Sequence, residues 1–156
     1  MSLIRKCGIG LVLAVLAFSV TGSASVAPIG KFDEFGDINC EEEMARLDNL
    51  AVHLQNEPSA KGVIIFYGGQ RFRGRLPKRG EAASRAARIK PYLVQRRGIS
   101  ADRVIVIDGG YAEEWHAEVW VVPAGATMPA PQPTIPLEQI KFSKGKANPR
   151  DYKCQI

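Results

Sequence analysis

Apolar and polar residues repeat along this chain with two periods, near two and near 3.6, and the changes between them mark its elements. Positions 31–38 alternate loosely around Phe32 and Phe35, which predicts a short edge strand. Asn39 then offers a helix cap, with Glu42 three residues on and Glu41 and Glu43 adding negative charge to the first turn. Met44, Leu47, Leu50, Ala51 and Leu54 recur at helical spacing behind it, and Asn56-Glu57-Pro58 ends that helix. The run at 63–67, Val-Ile-Ile-Phe-Tyr, is apolar without alternation, which predicts an inner strand covered on both faces and stopped by Gly68-Gly69.

A loop to Gly80 follows, carrying Arg71, Arg73, Arg75, Lys78 and Arg79. A second helix is predicted over 81–97, with Ala83, Ala86, Ala87, Ile89, Leu93 and Val94 as its buried stripe and Gly98 as its C-terminal cap. Pro91 removes one of its hydrogen bonds and should kink it. Strands at 104–107 and 117–122 complete the pattern, with Gly109-Gly110 read as a turn between them. The order is β-α-β-α-β-β, with each helix apolar on one side. This predicts a two-layer α/β sandwich, with helices on one face of a mixed four-stranded sheet.

Composition changes at both ends. Arg5 and Lys6 precede an apolar run over 9–20 and the small residues Thr21-Gly22-Ser23-Ala24-Ser25, the pattern of a secretory signal peptide over 1–25. The run is shorter than the roughly 20 residues a spanning helix needs. An uncleaved anchor is the other reading of the same run, because no charge falls between Cys7 and Lys31. The expected location is extracytoplasmic: periplasmic, cell-envelope or secreted. That setting removes chemistry that depends on ATP, nicotinamide pools or chromosomal DNA, and no nucleic-acid partner is expected. The formal charge of +5 falls to +3 without Arg5 and Lys6, which does not itself demand a polyanion. Residues 123–137, with Pro129, Pro131, Pro133 and Pro136, read as a semi-rigid linker, and residues 138–156 as a basic tail.

Without the leader, Cys40 and Cys154 remain, an even number in an oxidising compartment, which reads as one disulfide. Two free thiols are the alternative. A zinc site from Cys40, His53, His116 and Cys154 lacks the short paired spacing of structural zinc. No metal-ligand cluster, paired carboxylates or Ser-His-Asp set stands out, so no cofactor and no enzymatic activity are expected.

Four stretches carry a family resemblance. They are KFDEFGDI, EEEMARLDNLAVHLQNEPSAKGVIIFYGG, RGEAASRAARIKPYLVQRRGISADRVIVIDGGY and HAEVWVV, spanning 31–122. Together they resemble the C-terminal domain of outer membrane protein A, shared with peptidoglycan-associated lipoproteins and flagellar motor stators. The Ser84-Arg85-Ala86 triplet and the Gly98-Ile99 turn are the most specific features. The resemblance implies non-covalent association with peptidoglycan, with Arg85 standing where the family's arginine holds a diaminopimelate carboxylate. A guanidinium suits that task because it grips a carboxylate in a two-pronged fork. The family's Gly-His-Thr-Asp motif is represented by Tyr67-Gly68-Gly69-Gln70, which leaves Gln70 at the place of the aspartate. His116 and Ala117 stand where the family has a late Arg pair.

The candidate ligand-binding set is therefore Arg85, Gln70, Arg71, Arg73, Arg75 and Asp108. Each has a plainer reading. The loop arginines can form a solvated basic loop, Arg85 can pair with Glu81 four residues back, and Asp108 can simply make a turn. Gly69 and Gly74 have phosphate-loop spacing, but Arg75 and Leu76 replace its Lys and Ser/Thr. Tyr67, Tyr111 and Trp115 can form an aromatic wall for a sugar or peptide, or pack at the sheet's end. Two functions follow. One is a cell-envelope module that binds peptidoglycan or another anionic wall component. The other is a structural or protein-interaction domain, with envelope proteins as partners and a degenerate ligand groove.

Overall fold

The computed structural model describes residues 29–152. The expected signal peptide over 1–25, and Cys154 of the expected disulfide, lie outside the described residues. The elements are β1 (Lys31–Phe35), α1 (Cys40–Asn56), β2 (Lys61–Arg71), α2 (Glu81–Pro91), β3 (Val104–Glu114) and β4 (His116–Val122). They form the expected α/β sandwich around a mixed four-stranded sheet of order β1-β4-β2-β3. β2 runs parallel to β3 and antiparallel to β4, and β1 closes one edge against β4. No helix among the described residues is long and apolar enough to cross a membrane.

Local chemistry explains the helix ends. Asn39 caps α1, its side-chain oxygen accepting from the Glu42 amide at 2.9 Å. The second helix is regular only to Pro91, then widens into a π-turn over Tyr92–Arg96. The missing proline N–H breaks the helical ladder, and one extra residue per turn accommodates the loss. Gly98, at φ +71°, then turns the chain so that the Ile99 amide reaches the Leu93 carbonyl at 3.0 Å.

β2 alternates between two apolar layers. Ile64 and Phe66 face Leu47, Leu50, Leu54, Ile89 and Leu93 of the helical side, while Val63, Ile65 and Tyr67 face the other. Both β2 and β3 extend well past their predicted ends. Gly68-Gly69 does not stop β2: a Cβ at Gly69 would lie 2.6 Å from the Trp115 amide, so glycine lets the sheet pass close by. Gly109-Gly110 is not a turn but a bulge within β3. Phe66 pairs with Asp108 and Gly68 with Tyr111, so two glycines oppose Tyr67 alone. Gly110 takes φ +80°, a conformation that costs glycine little.

The segments read as linker and tail are both docked on the sandwich. The Gln132 amide donates to the Tyr67 hydroxyl at 3.1 Å, and the Thr134 and Ile135 amides both donate to the Tyr111 carbonyl at 3.0 Å. Residues 123–137 are thus a strap over the face of the sheet opposite the helices. Proline keeps the strap extended, and the sheet's exposed apolar face gives it something to cover. Farther on, the Ser143 amide donates to the Pro77 carbonyl and the Ala147 amide to the Arg79 carbonyl, each at 2.9 Å. Phe142 packs edge-on to Tyr111 and lies under the Arg79 guanidinium, 4.2 Å from the ring centre. The chain from Pro149 to Tyr152 then returns to α2 as a short 3₁₀ turn.

Candidate functional site

The end of β2, a tight turn, the first turns of α2 and the returning tail converge on Arg85. Phe72 and Arg75 close the turn, exchanging backbone hydrogen bonds of 2.8 and 3.0 Å. Glu81 and Arg85 lie one turn apart on α2 and face inward. Arg85 donates from Nε and Nη2 to Glu81 Oε1, at 3.2 and 2.9 Å. The two side chains are only 7% and 5% exposed, so this is an interior ion pair. The guanidinium carbon lies 3.9 Å from the ring centre of Phe72, 4.4 Å from Tyr152 and 4.5 Å from Trp115. Three aromatic faces therefore box the cation. Burial pulls the Arg85 pKa down, and Glu81 works against that pull.

Tyr152 closes the box. Its carbonyl accepts from Arg88 Nη1, and Arg88 also pairs with Glu43 of α1. Burial raises the Glu43 carboxyl above its usual range, with Arg88 opposing. Lys78 pairs with Asp151 at 3.1 Å. Burial, then the Glu81 charge, pushes the Tyr152 phenol up from 10.0 to about 12. A raised acid pKa favours the protonated folded form, so this contribution is intact below pH 10 and fades as pH rises toward 12. Ultraviolet titration of tyrosinate should therefore show one tyrosine ionising late. In a Glu81→Gln variant that last ionisation should move to lower pH; an unmoved titration would refute the Tyr152–Glu81 contact.

Of the other predicted residues, Gln70, Arg71 and Arg73 share one cleft, and Arg75 and Asp108 lie apart from it. Arg73 is committed to Asp37, through Nε at 2.7 Å and Nη2 at 2.9 Å. Arg71 donates to the Gly74 carbonyl at 3.1 Å, folding the loop on itself. Gln70, exposed, joins Arg71, Arg73 and Asp37 around a shallow cleft of about 390 Å³. Asp108 is exposed and accepts from the Gly110 amide at 3.0 Å, the local turn role. Tyr67, Tyr111 and Trp115 do not form one wall. Trp115 stacks on Arg85, whereas Tyr67 stacks on His116 and Tyr111 packs on Phe142, both at the strap.

Arg75 lines a different cleft from Arg71 and Arg73. That cleft, about 720 Å³, lies between the basic loop and the tail and is lined by Phe72, Arg75, Leu76, Lys78, Glu81, Ser143, Lys144, Asp151 and Tyr152. Glu81 and Asp151 are engaged by Arg85 and Lys78. Among the described residues, neither Arg75 nor Lys144 has an acidic partner. Sequence reasoning missed Ser143, Lys144 and Tyr152, because nothing local in a basic, proline-flanked tail signals a docking point. Cys154 was the one sign that the tail comes back.

Among the described residues no three His, Cys, Asp or Glu side chains are grouped to hold a metal ion. No protein-family model matches the chain, and no curated protein matches it.

Proposed function

We propose that this chain is an extracytoplasmic binding module of the cell envelope, holding an anionic wall component in the cleft between its basic loop and its tail. The observation that carries this reading is the charge balance of that cleft. Its acids are already paired, and Arg75 and Lys144, which both line it, have no acidic partner among the described residues. A carboxylate or phosphate entering there gains charge-assisted hydrogen bonds, and Phe72 and Tyr152 offer flanking apolar surface. The signal-like leader and the resemblance to outer membrane protein A support the setting, and peptidoglycan peptide is the probe of choice.

The expected result is co-sedimentation with purified peptidoglycan at low salt, weakening as ionic strength approaches about 0.1 M, where exposed charges are screened beyond about 10 Å. Arg75→Ala combined with Lys144→Ala should lose about 1.5–3 kcal/mol for each charge-assisted bond removed. Wild-type protein that stays in the supernatant at low salt would reject the reading.

A second reading has its own observation. Arg85, where the resemblance puts the ligand arginine, already holds Glu81 beneath Tyr152. An internal carboxylate competes at high effective concentration with any incoming one. That arrangement favours an interaction domain whose ancestral groove is filled by its own residues.

A further inference from the structure

On the face of the sheet away from the helices, the strap does not fill the space it covers. A cleft of about 580 Å³ remains, floored by Lys31, Tyr67, Glu118 and Trp120 and roofed by strap residues that include Met128 and Gln132. The register builds its floor. Glu118 and Trp120 are two apart on β4 and share a face, Lys31 pairs with Trp120 across β1, and β2 brings in Tyr67.

The floor is a closed polar cluster. Lys31 Nζ lies 2.8 Å from Glu118 Oε1 and 2.6 Å from Glu34 Oε2, and Trp120 Nε1 donates to Glu118 Oε2 at 3.2 Å. The Tyr67 hydroxyl lies 3.4 Å from the same oxygen. The Glu118 side chain is only 16% exposed, so this pair bears a desolvation cost. The neighbouring core on this face is Val63, Ile65 and Val122, so packing alone does not call for charge here.

We propose that this cleft is a saccharide site. Its volume suits one or two sugar rings, within the ~300–1,000 Å³ usual for ligand pockets. Its one lining cation, Lys31, is shared between Glu118 and Glu34, so an anionic ligand finds no spare counter-charge. A neutral polyhydroxyl ring uses cation and carboxylate alike: hydroxyls donate to Glu118 and accept from Lys31. Its apolar C–H face lies on the Trp120 indole, an amphipathic ring with an apolar face and a polar edge. Met128 and Gln132 close over it from the strap. The site is separate from the Arg75–Lys144 cleft and does not rest on the anionic-ligand reading.

The test is calorimetric titration of the folded protein with triacetylchitotriose. The expected result is saturable binding, weakened about tenfold or more by Trp120→Ala, as for an aromatic hot spot. Ala130→Trp, which fills the cleft from the exposed strap and spares the core, should weaken it as much while circular dichroism shows an intact fold. The Arg75→Ala, Lys144→Ala protein should bind the sugar as the wild type does. Absence of saturable binding up to about 10 mM, where only affinities weaker than about −3 kcal/mol escape, would overturn the proposal. So would unchanged binding by folded Ala130→Trp, or loss of binding in the Arg75 and Lys144 variant.

Discussion

Arg85→Ala should destabilise the domain by about 3–5 kcal/mol, the cost of stripping one partner from a buried ion pair. The variant leaves the Glu81 carboxylate inside a site where its side chain is 5% exposed, with no other cation hydrogen-bonded to it among the described residues. It also removes the cation from between the rings of Phe72, Trp115 and Tyr152. Urea denaturation is the measurement, with the midpoint falling at an unchanged slope. A double variant, Arg85→Met with Glu81→Leu, should recover most of the loss, because well-packed apolar groups often replace a buried pair at little cost. A fall of under about 1 kcal/mol in Arg85→Ala would show a solvent-screened surface pair instead. The distinction matters for function. If Arg85 holds the fold together, peptidoglycan binding lost in Arg85→Ala reports unfolding, and Arg75 and Lys144 become the informative positions.

Much of the fold was legible because its signals are local. The Asn39 cap, the Leu47–Leu50–Leu54 stripe and the unbroken Val-Ile-Ile-Phe-Tyr run each determine their own element. Strand ends were less legible. Gly68-Gly69 and Gly109-Gly110 look like turns in sequence, yet both lie inside strands: close approach between β2, β3 and Trp115 leaves no room for a Cβ at Gly68, Gly69 or Gly109, and Gly110 takes φ +80°. Proline content made residues 123–137 look like a semi-rigid linker. Whether such a segment floats or docks depends on whether a sheet face lies uncovered, which is a property of the assembled fold. The candidate site was only partly legible for a related reason. Arg85 and Gln70 came from the resemblance and the loop arginines from their charge, but pairing decides which charges are available. Arg73 went to Asp37 and Arg85 to Glu81, while Lys144, in the unremarkable tail, entered the cleft with Arg75.

Oxidised protein should carry a Cys40–Cys154 disulfide, and reduction should lower its stability by about 4 kcal/mol on the chain-entropy view. The routing of the tail supports the pairing. Arg88 contacts both the Tyr152 carbonyl and Glu43, so the last described turn of the tail lies beside the start of α1. Cys40 lies three residues before Glu43 on that helix, where such neighbours are about 5–6 Å apart. Cys154 stands two residues beyond Tyr152 in the sequence. The bond would close a loop of over a hundred residues, the range in which unfolded-state entropy is most reduced. It would also hold Tyr152 over Arg85, coupling the tail to the site. Peptide mapping without reductant should recover the crosslinked pair. Cys154→Ser should match reduced wild type in its denaturation midpoint and should free the Tyr152 phenol to ionise closer to pH 10. Two titratable thiols in folded, oxidised protein would reject the bond. A midpoint insensitive to reductant would show that the tail contacts alone hold the closed form.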